Sequence, residues 1–122
     1  MKSFTDIEQS KKLAEILPIE SADMLYTPLG NDYPWVWHEE VKLLEKNAIP
    51  CWSVTALLDV LPVSCDDGQH CLALINPNPN DKTEWLCAYE DDNGNLMMEC
   101  YTDDSIDACY EMALKLHERK ML

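Results

Sequence analysis

Cys51 and His70 are the two residues of this sequence whose side chains could together carry out covalent catalysis. Cys51 precedes Trp52 and Ser53 at the predicted start of a short apolar helix, and His70 stands at the predicted start of a strand. The reactive form of cysteine is the thiolate, which helix amides and a neighbouring imidazolium stabilise. One interpretation of the sequence is therefore a cysteine hydrolase with Cys51 as nucleophile and His70 as base.

The order of these residues resembles that of papain-like cysteine peptidases, in which a Trp follows the nucleophile at the start of a buried helix. Three features argue against the same chemistry. Ser53 is the better N-cap and leaves Cys51 outside the first turn. The nineteen-residue spacing to His70 is far shorter than the papain-type interval, and no glycine-rich run prepares an oxyanion site. A buried cysteine beside a core Trp explains the same residues, so the sequence favours a protein that is not an enzyme.

A metal site is the second chemistry that the residue types suggest, because Cys65, Asp67, His70 and Cys71 lie within seven residues. Structural zinc sites usually contain close pairs such as Cys-x-x-Cys, and this sequence has none. If Cys71 points into the core of a strand, His70 faces the opposite side. We therefore predict no metal and no cofactor.

The charge of the chain is unbalanced and is concentrated in its centre. Nine Lys and Arg against 23 Asp and Glu give a net charge of −14, and residues 50–109 alone have a net charge of −11, with Lys82 as their single base. Nucleic-acid phosphates and anionic lipids are bound by clustered Lys and Arg. The composition therefore predicts neither direct nucleic-acid binding nor membrane docking, and it leaves a protein as the favoured partner.

Two aromatic residues and seven acids are the candidate binding residues. Trp35 and Trp37 follow a proline-containing loop, which favours exposure and contact with another protein. The acidic candidates are Asp66, Asp67, Glu90, Asp91, Asp92, Asp103 and Asp104. Carboxylates at phosphate-like density could also imitate DNA and inhibit a nucleic-acid-binding protein, which is an alternative function for this chain.

The local patterns predict helices at 5–17, 54–61 and 104–120, with a short one at 39–46, and strands at 70–75, 84–90 and 96–102. Asn93-Gly94 favours a two-residue hairpin turn between the last two strands. The predicted fold class is α+β, with a small three-stranded antiparallel sheet packed on one face by three or four helices in a single domain, residues 1–122.

Specific signals fix several side chains within these elements. Thr5 and Glu8 have the spacing of a capping box, and Ser53 is an N-cap that places Trp52 and Leu57 as a hydrophobic staple. Alternation along the last strand predicts that three residues share one face, namely Leu96, Met98 and Cys100. The N-terminal residues lack the apolar core of a signal peptide, so we expect a cytoplasmic protein with reduced cysteines.

Several segments together resemble a group of small acidic proteins of Bacteroides-type gut bacteria and of their phages and mobile elements. The matching segments are residues 8–13, 21–24, 49–53 and 56–62, with Ile106-Asp107-Ala108 and Glu111-Met112. The resemblance covers most of the chain and is weakest across residues 27–48 and 63–84. It implies a non-enzymatic intracellular accessory protein and assigns no chemistry to particular residues.

Overall fold

The computed structural model describes residues 2–27, 33–36, 48–65, 67–76 and 84–122. These residues contain three helices, α1 (Ile7–Ala14), α2 (Val54–Val60) and α3 (Ser105–Glu118), and two three-stranded antiparallel sheets. The α+β class is confirmed, whereas the expectation of one sheet is correct only in part. The helix predicted at 39–46 and the candidate residues Trp37 and Asp66 lie outside the described residues.

The sheet that the sequence did not predict is the smaller one. It contains β1 (Met24–Tyr26), β2 (Trp35–Val36) and β3 (Ile49–Cys51) in the order β2-β1-β3. Its strands are only two or three residues long, and Pro50 lies within β3, where it is opposite Leu25. A proline is tolerated there because β3 is an edge strand, but in the sequence it argues against a strand.

The larger sheet has the order β4-β5-β6, formed by β4 (Cys71–Ile75), β5 (Trp85–Glu90) and β6 (Leu96–Thr102). These are the three predicted strands. The hairpin between β5 and β6 is longer than the predicted two-residue turn, because Gly94 donates its N–H to the Asp91 carbonyl at 3.1 Å. Asp92 and Asn93 therefore occupy the centre of the turn, and Gly94, at φ +81°, closes it.

A bulge in β6 changes which of its residues face the core. The pairing of β5 with β6 is regular at Cys87 and Cys100 and shifts before Tyr89, which is opposite Met97. Met98 adopts a left-handed conformation with φ +57° at this point. Met98 and Cys100 lie in the core as predicted, but Met97 packs against it in place of Leu96. The predicted place of Leu96 on this face was therefore wrong.

Side chains from the helices and from one face of the larger sheet form the main core. Trp52 and Leu57 are wholly buried in it, as the predicted staple requires. Ser53 caps α2 by accepting a hydrogen bond from the Ala56 N–H at 3.1 Å. Asp104 caps α3 by accepting from the Ile106 N–H at 2.8 Å. The predicted cap at Ser53 is confirmed, and the cap at Asp104 lies at the predicted start of the last helix.

The cap of α1 is one residue later than predicted. Asp6 accepts from the Gln9 N–H at 2.8 Å, and the Gln9 side chain accepts from the Asp6 N–H at 3.1 Å. The capping box is therefore Asp6 with Gln9, and the predicted pair of Thr5 with Glu8 was wrong. Thr5 is instead wholly buried, and its hydroxyl oxygen accepts a hydrogen bond from the backbone N–H of Trp52.

Candidate functional site

Cys51 lies at the end of β3 with no exposed surface. Its thiol donates to the Thr5 carbonyl oxygen at 3.4 Å, and the Thr5 hydroxyl contacts the sulfur at 3.6 Å. Burial raises the pKa of Cys51 more than the neighbouring hydroxyl groups lower it. A thiol with a raised pKa is protonated at neutral pH and is a poor nucleophile.

Thr5 is the centre of the polar network around Cys51. Its hydroxyl oxygen accepts from the Trp52 N–H at 3.1 Å and lies 2.8 Å from the Ser10 hydroxyl oxygen. Its carbonyl oxygen accepts from the Tyr26 hydroxyl at 2.7 Å. The network ties the N-terminal segment to β1 and β3 and satisfies the polar groups that folding buries. Cys51 therefore has a structural role in this network, which we call the structural joint and which consists of Thr5, Ser10, Tyr26, Cys51 and Trp52.

His70 lies immediately before β4 and contacts two carboxylates. Its Nδ1 atom is 2.6 Å from Oδ2 of Asp67, and its Nε2 atom is 3.9 Å from Oδ2 of Asp91. Cys51 belongs to the smaller sheet, and its sulfur contacts Thr5 rather than an imidazole. The structure thus does not bring Cys51 and His70 together as a nucleophile and base.

Of the potential metal ligands near His70, Asp67 contacts the imidazole, but the two cysteines differ in burial. Cys65 is buried, whereas Asp67 and Cys71 are exposed. Across the described segments, no three His, Cys, Asp or Glu residues meet in a way that could hold a metal ion.

Asp67 and Asp91 are engaged in the turns that carry them. Asp67 accepts from the Gln69 and His70 N–H groups, and the first of these bonds is the main reason why its pKa is lowered. Hydrogen bonds from Asn95 chiefly lower the pKa of Asp91. Both carboxylates therefore stay ionised at neutral pH. Together with Glu90 and Asp92 they form the acidic tip of the larger sheet.

Asp103 and Asp104 are neighbours with different roles. Asp104 is 7% exposed, and besides capping α3 it accepts from the Lys2 N–H at 2.8 Å. This carboxylate is used within the fold, so we leave it out of the binding surface. Asp103 is exposed and lies at the opposite end of the larger sheet from the hairpin.

A small cavity at that end, which we call the acidic cavity, has a volume of about 290 Å³ and is lined by Glu84, Tyr101, Thr102 and Asp103. Tyr101 is 51% exposed and lies near Glu99. Partial desolvation, and then the charges of Glu99 and Glu84, raise the pKa of the Tyr101 phenol. In the part of the chain that the structure describes, no Lys or Arg lines this cavity.

Three residues of this site, Glu84, Glu99 and Tyr101, were not predicted from the sequence. Their signal was strand alternation, because Glu99 and Tyr101 flank the inward-facing Cys100 and must face outward. The register then places Trp85 opposite Thr102, which brings Glu84 near Asp103. The register itself is not visible in the composition of either strand.

The exposed aromatic candidate, Trp35, lies in β2 on the smaller sheet. Trp35 is 42% exposed and the adjacent Val36 is 67% exposed. β2 pairs with β1, through Leu25 opposite Trp35. The structure therefore places Trp35 in a different sheet from the acidic candidates and does not join them in one site.

A larger groove of about 540 Å³ lies between the end of α1 and α3. Three acids, three basic side chains and two apolar residues line it. Because charges of both signs are present and Lys12 already pairs with Glu15 at 3.7 Å, the groove does not select for a ligand of one charge. The acidic cavity, whose described lining residues carry only negative charge, is the better candidate site.

Within the described ranges, none of the helices has the length and apolar character that crossing a bilayer requires. Comparison of the chain with protein-family models, with curated proteins and with solved structures finds no match.

Proposed function

We propose that this protein is a non-enzymatic interaction module that binds basic side chains of a protein partner at the acidic cavity. The observation that carries the proposal is the half-exposed ring of Tyr101 beside Glu84, Glu99 and Asp103, with no Lys or Arg among the described residues that line the cavity. Carboxylates beside an aromatic face attract an ammonium or guanidinium group, through charge-assisted hydrogen bonds and cation–π contact.

The distribution of charge extends this attraction beyond the cavity. Residues 50–109 have a net charge of −11, and the acidic tip lies at the other end of the same sheet. A field of one sign steers an oppositely charged partner toward the surface and speeds association, and salt weakens the effect. The partner that fits is therefore a protein with clustered Lys or Arg.

The buried state of Cys51 supports a role without catalysis. Its thiol has no exposed surface, and its polar contacts are with Thr5. The cytoplasmic location and the origin in phages or mobile elements stay predictions from the sequence, and they are compatible with an accessory protein that acts by binding.

The test is a titration with a labelled peptide of alternating Arg and Gly residues, against a peptide in which Gln replaces Arg. The triple variant Glu84→Gln, Glu99→Gln, Asp103→Asn should bind the Arg peptide about tenfold more weakly than the wild type, since three exposed ion pairs at about 0.5 kcal/mol each amount to about 1.5 kcal/mol. Tyr101→Ala should weaken binding as well.

The matched control is the variant Glu8→Gln, Glu20→Gln, Glu118→Gln, which removes three exposed carboxylates that lie outside the larger sheet. Its affinity should stay within about twofold of the wild type, since short-range contacts carry more than net charge. Equal losses in both triple variants would show a general charge effect and contradict the proposed site.

The alternative function is imitation of nucleic acid, which the exposed acids at both ends of the larger sheet favour. Such a protein would need the acidic tip as much as the cavity. The variant Asp67→Asn, Asp91→Asn, Asp92→Asn would then release a DNA-binding partner as strongly as the cavity variant does. Retained binding by this variant supports the cavity.

A further inference from the structure

Three of the cysteines meet beneath α3, at the face of the larger sheet that lies in the core. Cys87 on β5 and Cys100 on β6 are directly opposite each other. Cys109 on α3 lies close enough to Cys87 to raise the pKa of the Cys87 thiol. Cys87 and Cys109 have no exposed surface, and Cys100 is 7% exposed. The proposed function uses none of these thiols.

Directly opposite residues of antiparallel strands have Cα atoms about 4.5–5.5 Å apart and project to the same face. Two cysteines form a disulfide bond when their Cα atoms are about 4.4–6.8 Å apart. We propose that Cys87 and Cys100 are an oxidisable dithiol, which a low-molecular-weight disulfide of the glutathione type converts to a disulfide bond between β5 and β6.

Cys100 is the thiol that reacts first with the small disulfide. It lies on an edge strand, and the pairing with β5 becomes irregular immediately beyond the Cys87–Cys100 pair. Backbone opens most easily where the hydrogen-bond ladder is interrupted. Burial raises the pKa of Cys100, and the Lys115 ammonium opposes that shift. Lys115 is held beside it by a 3.0 Å hydrogen bond to the Glu99 carbonyl oxygen.

The reaction is a pair of thiol–disulfide exchanges. The Cys100 thiolate attacks one sulfur of the small disulfide, and the first glutathione thiolate leaves and takes up the proton that Cys100 released. When the β5–β6 pairing opens locally, Cys87 attacks the sulfur of Cys100, and the second glutathione leaves and takes up the proton that Cys87 releases. Two protein thiols are thus oxidised, and one small disulfide is reduced to two thiols.

The product would join the two strands on either side of the β5–β6 hairpin. It closes the chain between residues 87 and 100, which restricts the unfolded state and stabilises the folded one. Excess reduced glutathione reverses the reaction. The hairpin would therefore be fastened under oxidising conditions and released under reducing ones, independently of what the acidic cavity binds.

The experiment uses the full chain carrying Cys71→Ser, which removes the exposed thiol. After incubation with oxidised glutathione, we expect a mass loss of two hydrogens and a peptide linking Cys87 to Cys100. The melting temperature should rise by roughly 10 °C. Adding Cys87→Ala removes the resolving thiol, so one glutathione should remain attached to Cys100.

Cys109→Ala is the matched control, because it removes the third thiol of the cluster and should leave the Cys87–Cys100 bond unchanged. A bond from Cys87 to Cys109 in the parent chain would overturn the assignment. So would thiols that stay reduced until the protein unfolds. Because peptide mapping is done on the chain with both cysteines present, the result stands even if the Cys87→Ala variant does not fold.

Discussion

Thr5→Val is the substitution that tests the structural joint around Cys51 most sharply. Valine has nearly the shape of threonine but cannot hydrogen-bond. The change removes the acceptor of the Trp52 N–H at 3.1 Å and the partner of the Ser10 hydroxyl at 2.8 Å. Both contacts are buried. In the variant, the backbone N–H of Trp52 therefore has no hydrogen-bond acceptor and cannot bond to water instead.

The expected cost follows from these two contacts. Each hydrogen bond contributes about 1 kcal/mol, and leaving a buried donor unsatisfied adds about 1–2 kcal/mol, so Thr5→Val should lower the free energy of unfolding by about 3 kcal/mol. Ser10→Ala removes one contact and should cost about 1 kcal/mol. Urea denaturation followed by Trp fluorescence measures both values.

The control is Thr55→Val on the exposed side of α2, which should change the free energy of unfolding by less than about 0.5 kcal/mol. A Thr5→Val protein that unfolds at the same urea concentration as the wild type would refute the account of the joint. Cys51 would then have to be re-examined as a residue free to react.

Three further predictions concern single groups. Iodoacetamide at pH 8 should label Cys71 rapidly and Cys51 only on unfolding, because burial raises the pKa of Cys51. Asp104→Ala should lower the free energy of unfolding by about 1–2 kcal/mol, because α3 loses its N-cap. Hydrogen bonds from Asn95 lower the pKa of Asp91 below the ordinary 3.8. Its stabilising contribution is therefore present above that value and is lost as the pH falls through the lowered pKa. Asp91→Asn should flatten the stability profile in this acid range.

Each of these has its own control. Cys71→Ser should abolish the rapid labelling, and rapid labelling that persists at Cys51 would contradict its burial. Asp103→Asn, next to the cap but exposed, should leave stability within about 0.5 kcal/mol. Asp92→Asn should leave the acid profile unchanged, and an effect as large as that of Asp91→Asn would place its origin in net charge.

The sequence predicted the elements whose signals are local. Ser53 and Asp104 are caps because a short polar side chain precedes an apolar helical run, and the strands of the larger sheet alternate clearly enough to be located. The α1 cap moved to Asp6 because Thr5 is needed elsewhere. The Thr5 hydroxyl bonds to the backbone of Trp52, which is far away in sequence. No local sequence pattern could therefore predict this contact.

The candidate site was predicted less completely than the fold. The acidic cavity combines Glu84 with residues 101–103, and only the register of β5 against β6 brings them together. The bulge at Met98 adds a residue that alternation cannot anticipate, so Leu96 was assigned to the wrong face. The burial of Asp104 likewise depends on Lys2, at the other end of the chain.

The central claim is that a basic partner binds at the acidic cavity, and amide chemical-shift mapping tests it most directly. Titrating ¹⁵N-labelled protein with the Arg peptide should shift the amides of Glu84, Tyr101, Thr102 and Asp103 most, and saturably. Shifts that are centred on Trp35 and Val36, or spread evenly over every exposed acid, would contradict the claim.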